Sequence, residues 1–126
     1  MAQLYQLFAL NRSANRRFEV VTNEANTEAT LYLYDMIVST DNEAEWWGGV
    51  SPMNFIKELS NITASTIHLR INSPGGDVFA ARCMEQAIVE SGKTVIAHID
   101  GLCASAATYI ALACSSVAMG EGSLFM

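Results

Sequence analysis

Thr66-Ile67-His68-Leu69-Arg70-Ile71-Asn72-Ser73-Pro74-Gly75-Gly76-Asp77 is the stretch from which the rest of this chain can be read. Ile67, Leu69 and Ile71 alternate with His68, Arg70 and Asn72, the period of two expected of a strand with one apolar face. The strand runs straight into a Ser-Pro-Gly-Gly turn, and Asp77 stands where it can cap a following helix. That helix has an apolar stripe of Ala80, Met84, Ala87 and Ile88, with Arg82, Glu85, Gln86 and Glu90 outside, and Gly92 stops it. The same sequence of elements then recurs. Residues 94–99 read as a buried strand, Asp100-Gly101 as a turn, and 104–114 as a helix with almost nothing polar along it. Residues 117–119 begin another strand, Gly120 and Gly122 turn the chain, and 124–126 read as a further strand. This β-α-β-α-β order makes the chain an α/β protein with a mostly parallel sheet and right-handed crossovers.

Upstream, residues 29–36 read as a strand entered from a turn at 22–27, and 40–49 as a loop. Trp46 and Trp47 stand in that loop beside Gly48 and Gly49. A hydrophobic plug over the core is favoured there over a partner-binding tip. Ser51 and Pro52 make an N-cap and first helical position, and Phe55, Ile56 and Leu59 fall on one face of a short helix ending near Ser60. Before Glu28 no structural period is legible.

A chain of 126 residues that is 51% hydrophobic and 16% charged builds one globular core. Its net charge of −6 offers no basic surface for nucleic acid or an anionic membrane. Arg12, Arg16 and Arg17 follow a short apolar start, the reverse of a signal peptide's order, and 101–114 is too short for the ~20 residues of a spanning helix. A cytoplasmic protein is expected. The three cysteines, Cys83, Cys103 and Cys114, form no CxxC pair and read as reduced, apolar core filler. No metal or cofactor motif is present.

Two loops leave the carboxyl ends of neighbouring parallel strands, one holding Gly75-Gly76 and the other Gly101 to Ser105, and such loops converge on one crevice. Ser105 falls at the first turn of a buried helix, where free N–H groups favour developing negative charge. The paired glycines let backbone approach a substrate with no Cβ in the way, so an N–H can face a carbonyl oxygen that becomes an oxyanion. Ser105 is the candidate nucleophile. The bland alternatives are a helix cap for Ser105 and a plain tight turn for the glycines.

Ile71-Asn72-Ser73-Pro74-Gly75-Gly76 followed by Gly101-Leu102-Cys103-Ala104-Ser105-Ala106-Ala107 resembles the Clp proteolytic subunit family, with the family's spacing between glycine turn and serine. Asp77-Val78-Phe79-Ala80-Ala81 and Gly120-Glu121-Gly122-Ser123-Leu124-Phe125-Met126 are most similar to its phage head-maturation branch. The resemblance is strong over 66–126, weaker back to Ala29 and absent earlier, so 1–28 is taken as a variable segment and 29–126 as the Clp-protease-like domain. It implies a crotonase-like spiral of β-β-α units and a Ser-His-Asp serine endopeptidase. Ser105 would be the nucleophile, with oxyanion donors in the N–H groups of Gly76 and Ala106. The family histidine follows within a few residues of Ser123-Leu124-Phe125-Met126, with the aspartate further on. The chain is thus expected to be C-terminally incomplete and inactive alone.

The resemblance also implies a polypeptide substrate and a homo-oligomeric ring, with capsid or scaffold proteins or an unfolding AAA+ ATPase as partners. His68 and His98 read as strand histidines and not as substitute bases, and Cys103 as core filler and not as a thiol nucleophile. Competing readings are a non-catalytic subunit of such a ring, a Ser-Lys peptidase using Lys57 or Lys93, and acyl-CoA chemistry of the crotonase type, which has no use for a serine at this position.

Overall fold

The structure, a computed structural model, describes residues 16–126. Strands β1 (Arg17–Thr22), β2 (Glu28–Tyr34), β3 (Thr66–Ser73), β4 (Thr94–Cys103) and β5 (Ser116–Met119) lie side by side in chain order, and β6 (Leu124–Phe125) pairs with the far end of β4. Only β1 runs antiparallel; β2 through β6 are parallel. Helices α1 (Asp41–Trp47), α2 (Pro52–Asn61), α3 (Val78–Glu90) and α4 (Ala107–Leu112) fill the connections. The chain is therefore a mixed α/β protein with a mostly parallel sheet, as the sequence predicts.

The alternation in β3 places Ile67, Leu69 and Ile71 in the core, joined by Leu31 and Leu33 of β2 and Val95, Ala97 and Ile99 of β4. Phe55 and Leu59 of α2, Met84 and Ile88 of α3 and Ile110 of α4 cover that face. Ser51 caps α2 by accepting the Asn54 N–H, and Asp77 caps α3 by accepting the Ala80 N–H at 2.8 Å. Ile56 is more exposed than its place on the expected apolar face implies. β1 lies where no period is legible. It is held by its pairing with β2 and by Phe18, whose ring centroid is 6.4 Å from that of Phe55.

The other sheet face is half-buried and polar, and its side chains are linked across the strands. Arg70 grips Asp100 with two bonds of 2.8 and 2.5 Å, and the Tyr34 hydroxyl donates to the same carboxylate. Burial works to raise the Asp100 carboxyl, but Arg70 and Tyr34 outweigh it and hold it below its ordinary value. Burial, with the bond to Asp100, pushes the Tyr34 phenol up to about 12.

Four local expectations are corrected. Residues 40–49 hold helix α1, because Thr40 caps it by accepting the Glu43 N–H and Gly48, at φ 80°, ends it. Trp46 and Trp47 are exposed and do not plug the core. β4 continues through Asp100-Gly101 to Cys103, since Asp100 is held by Arg70 and the Leu102 N–H is taken by Asn72 Oδ1 at 3.1 Å. The last helix spans only Ala107–Leu112, preceded by a turn at 105–106.

Phe55 is the largest fully buried side chain among the described residues. Phe55→Ala is expected to lower the unfolding free energy by about 3–5 kcal/mol, read from urea midpoints, whereas truncation of the exposed Val89 leaves it within about 0.5 kcal/mol.

Candidate active site

The site is assembled by main chain at the carboxyl edge of the sheet. β3 and β4 run in register to Ile71 opposite Ile99, then slip, so that Ser73 faces Cys103. The slip brings the ends of the two strands together, and the Ala104 N–H donates to the Ser73 carbonyl at 3.1 Å. The buried Ser73 hydroxyl accepts the Gly75 N–H and fixes the first bend of the glycine turn. Gly75, at φ 92°, lies so close to the serine loop that a Cβ there would stand 2.6 Å from the Ala104 carbonyl oxygen and 3.0 Å from Ser105 Cβ. The two loops read from the sequence as converging are thus in contact.

Gly76 is constrained from its other side. At φ 147°, an added Cβ would fall 2.0 Å from the Ile37 carbonyl oxygen. Ile37 donates its N–H to the Gly75 carbonyl at 2.8 Å and accepts the Asp77 N–H at 3.0 Å. This pattern leaves the Gly76 N–H outside the ladder, with no hydrogen-bond partner among the described residues, and the Ala106 N–H likewise has none.

Ser105 occupies the turn between β4 and α4 with φ 54°, a left-handed conformation that costs a residue bearing a Cβ roughly 1–2 kcal/mol. It is exposed, whereas Cys103, Ala104, Ala106 and Ala107 around it are buried. Its hydroxyl has no partner among the described residues and does not cap α4, whose N-cap is Ala106. The Ser105 N–H donates to the Met126 carbonyl at 2.6 Å, and the Met126 N–H donates to the Cys103 carbonyl at 3.0 Å. The last residue of the chain is therefore stitched alongside the serine.

The other residues considered in the sequence fall elsewhere. His68 and His98 sit on the half-buried sheet face, Nδ1 to Nε2 at 2.9 Å, and His68 Nε2 is 2.9 Å from Glu28 Oε1. Burial, then the positive charges of Arg70 and His68, lower the His98 imidazole, with Asp100 opposing. Cys103 is core filler as expected, its thiol pushed up to about 12 by burial, and Cys114 is shifted alike. Cys83 departs from that expectation and is exposed. Lys93 bonds the Ala64 carbonyl just before β4 begins, a whole strand away from Ser105, and cannot serve it as a base. Lys93 also borders a groove of about 540 Å³ between α2 and α3, lined by Ile56, Leu59, Cys83 and Ala87, which the ten-residue length of β4 separates from the serine. No group of three or more His, Cys, Asp or Glu among the described residues is arranged to hold a metal ion. No described helix is long and apolar enough to cross a membrane.

A mostly parallel sheet with helices in its connections, a glycine turn after β3 and an exposed, left-handed serine after β4 place the chain among α/β proteins with a loop-built site at the carboxyl edge. The sequence profile of the Clp protease family matches residues 53–121, and the chain belongs to that family. Among solved structures it is similar to ClpP1 from Listeria monocytogenes, with 26% identity and a TM-score of 0.59 over 77% of this chain and 54% of that one. It is similar in fold to a membrane-bound stomatin-specific protease, at 21% identity and TM-score 0.59 over 83% and 47% of the two chains. An enoyl-CoA hydratase from Polaromonas shares the fold at 18% identity and TM-score 0.60 over 86% and 49%. The chain spans about half the length of these structures. No curated protein sequence matches it significantly.

Two measurements check the geometry. Ser105→Gly and Ser105→Ala both remove the hydroxyl, but only glycine relieves the left-handed backbone, so the glycine variant is expected to be more stable by about 1 kcal/mol. Equal stabilities would mean that the turn is unstrained. For His98 the folded state disfavours the imidazolium, so the unfolded chain binds protons first as pH falls below the ordinary value of 6.5. Its contribution to stability is full above that pH and lost as pH drops through the lowered folded value. Urea unfolding is expected to weaken between pH 7.5 and 5.5, and His98→Asn to flatten that slope.

Proposed function

We propose that residues 29–126 form the nucleophile-bearing part of a serine endopeptidase site of the Clp type. Ser105 Oγ attacks the peptide carbonyl, and the N–H groups of Gly76 and Ala106 receive the oxyanion. The observation that carries this reading is the pairing of a solvent-facing, left-handed serine, its hydroxyl unpartnered, with two free N–H groups on loops in mutual contact. A serine that served only packing or capping would not need an exposed, strained backbone. For crotonase-type acyl-CoA chemistry the glycine turn would suffice and the serine would be idle.

Attack needs a base, since a free hydroxyl is a weak nucleophile at neutral pH. The two histidines and Lys93 do not supply it: the histidines are engaged on the sheet face and Lys93 lies at its other edge. The family's histidine follows closely on Ser123-Leu124-Phe125-Met126. The bonds of the Met126 main chain to Ser105 and Cys103, which bring Ser123-Leu124-Phe125-Met126 alongside the serine, support that assignment. The proposed role is polypeptide cleavage in a homo-oligomeric ring, and the motif likeness to the phage branch favours capsid or scaffold proteins as substrates in head maturation. Assembly is supported by the exposed apolar side chains of Leu112, Val117, Met119, Leu124 and Phe125 along the β5 and β6 side.

The chain ending at Met126 is expected to release no product above background from a fluorogenic peptide. A form extended with the family's histidine and aspartate elements is expected to cleave, and Ser105→Ala in that form to reduce kcat at least about 1,000-fold. Cleavage surviving Ser105→Ala overturns the assignment.

A further inference from the structure

Several large apolar side chains that the described residues leave in solvent gather along one edge. Trp46 is 76% exposed, Trp47 70%, Met53 71% and Phe79 84%. The tryptophans close α1, in the connection that leaves β2. Met53 lies in the first turn of α2, at the end of that connection, and Phe79 in the first turn of α3, just after the glycine turn leaving β3. Connections out of parallel strands emerge at the carboxyl edge, so these residues share the edge that holds Ser105.

The α1 connection is fixed in place. The buried Asp35 carboxylate accepts the Met36 and Gly49 N–H groups and pairs with Arg16 at 2.7 Å. Asp41 is bonded to the Ser51 hydroxyl, Val38 and Val50 are joined at 3.0 Å, and Ile37 ties the base of the connection to the glycine turn. The helix itself carries Asp41, Glu43 and Glu45 and no basic residue, and the nearby Arg16 is neutralised by Asp35. Two adjacent indoles are thus held in water beside carboxylates on a rigid support. Aromatic rings presented this way offer large contact area at low entropic cost, and bind cationic and apolar groups together.

We propose that the α1 connection is a capture shelf for the polypeptide on which the serine site acts. It takes an extended segment whose apolar side chains lie on Trp46 and Trp47 and whose lysine or arginine side chains face the acidic surface of α1, above all Glu45 next to the indoles, since Asp41 and Glu43 also hold Ser51 and Ser39. This inference rests on the peptidase reading of Ser105 and adds to it a preference for basic, apolar sequences near the cleaved bond.

The chain has two tryptophans, both on the shelf, so its indole emission reports the shelf alone. The test uses the Ser105→Ala form, a ten-residue peptide of alternating leucine and lysine, and its counterpart with glutamate in place of lysine. The expected result is a saturable blue shift with the lysine peptide, at least about tenfold tighter than with the glutamate peptide and weakened by salt. Anisotropy of the labelled lysine peptide is expected to show at least about tenfold weaker binding to a Trp46→Ser, Trp47→Ser double variant whose circular dichroism is unchanged. No shift, equal affinity for both peptides, or a shift that follows protein concentration without peptide overturns the shelf; the last assigns the tryptophans to a contact between copies. The two readings fail separately. Peptide binding alongside cleavage that survives Ser105→Ala in the extended form removes the nucleophile only. Cleavage through Ser105 without peptide on the tryptophans removes the shelf only.

Discussion

The close approach of the Ile37 carbonyl to Gly76 is the constraint on which the rest of the carboxyl edge depends. No side chain fits there, since a Cβ would fall 2.0 Å from that oxygen. Because none is present, Ile37 bridges Gly75 and Asp77 through its own N–H and carbonyl. From that bridge the edge is woven outward: Ile37 pairs with Val50, Gly75 rests on Ala104 and Ser105, and Ser105 bonds Met126. Three βα connections and the last residue are held by backbone bonds, each worth about 1 kcal/mol net but costly to leave unmade once buried. The position of the serine is therefore set largely by main chain, with the Ser73 hydroxyl and the Asn72 amide oxygen as the side-chain acceptors that help hold its two loops.

The two faces of the sheet divide the remaining work. One supplies stability by burying Leu31, Leu33, Ile67, Leu69, Ile71 and Ile99 under the helices. A parallel sheet usually hides both faces, and here the second carries a polar lattice in place of apolar cover. Arg70, Asp100 and Tyr34 satisfy one another, and Glu28, His68 and His98 form a second chain. Such groups tolerate partial burial because each has a partner, and no fully buried side-chain polar atom among the described residues lacks one. The histidines belong to this lattice, which is why neither is at hand for the serine.

Elements with a clean period were legible in the sequence. The alternation of 67–72, the Ser51-Pro52 and Asp77 helix starts and the Gly92 stop all stand where their chemistry predicts. β1 was not legible because its strand character comes from pairing with β2 and from one aromatic contact, both non-local. The Thr40-Asp41-Asn42-Glu43 capping signature of α1 was present but masked by its brevity and by the glycines after it. Asp100-Gly101 has turn composition, yet tertiary bonds from Arg70 and Asn72 keep it extended. The convergence of glycine turn and serine was readable from strand order alone. The left-handed conformation of Ser105 was not, since a serine gives no local sign of positive φ and the strain is imposed by neighbours far along the chain.

The arrangement of donors has two sources. The first N–H groups of a helix find no partner within it, so with α4 starting at Ala107 the Ala106 N–H stays outside the ladder. On the facing loop the Gly76 N–H does so for an unrelated reason, the parity of the Ile37 bridge. Two donors unpaired among the described residues, on adjacent loops, are each unfavourable when shielded from water, and the fold retains both next to an exposed hydroxyl. On the proposed reading of the site, their unfavourable energy would be offset when a negative oxygen arrives between them. On the proposed peptidase reading, an oxygen that would develop charge only as the serine attacks would be bound more strongly at that moment than before it, which is the condition for lowering a barrier and not merely for binding.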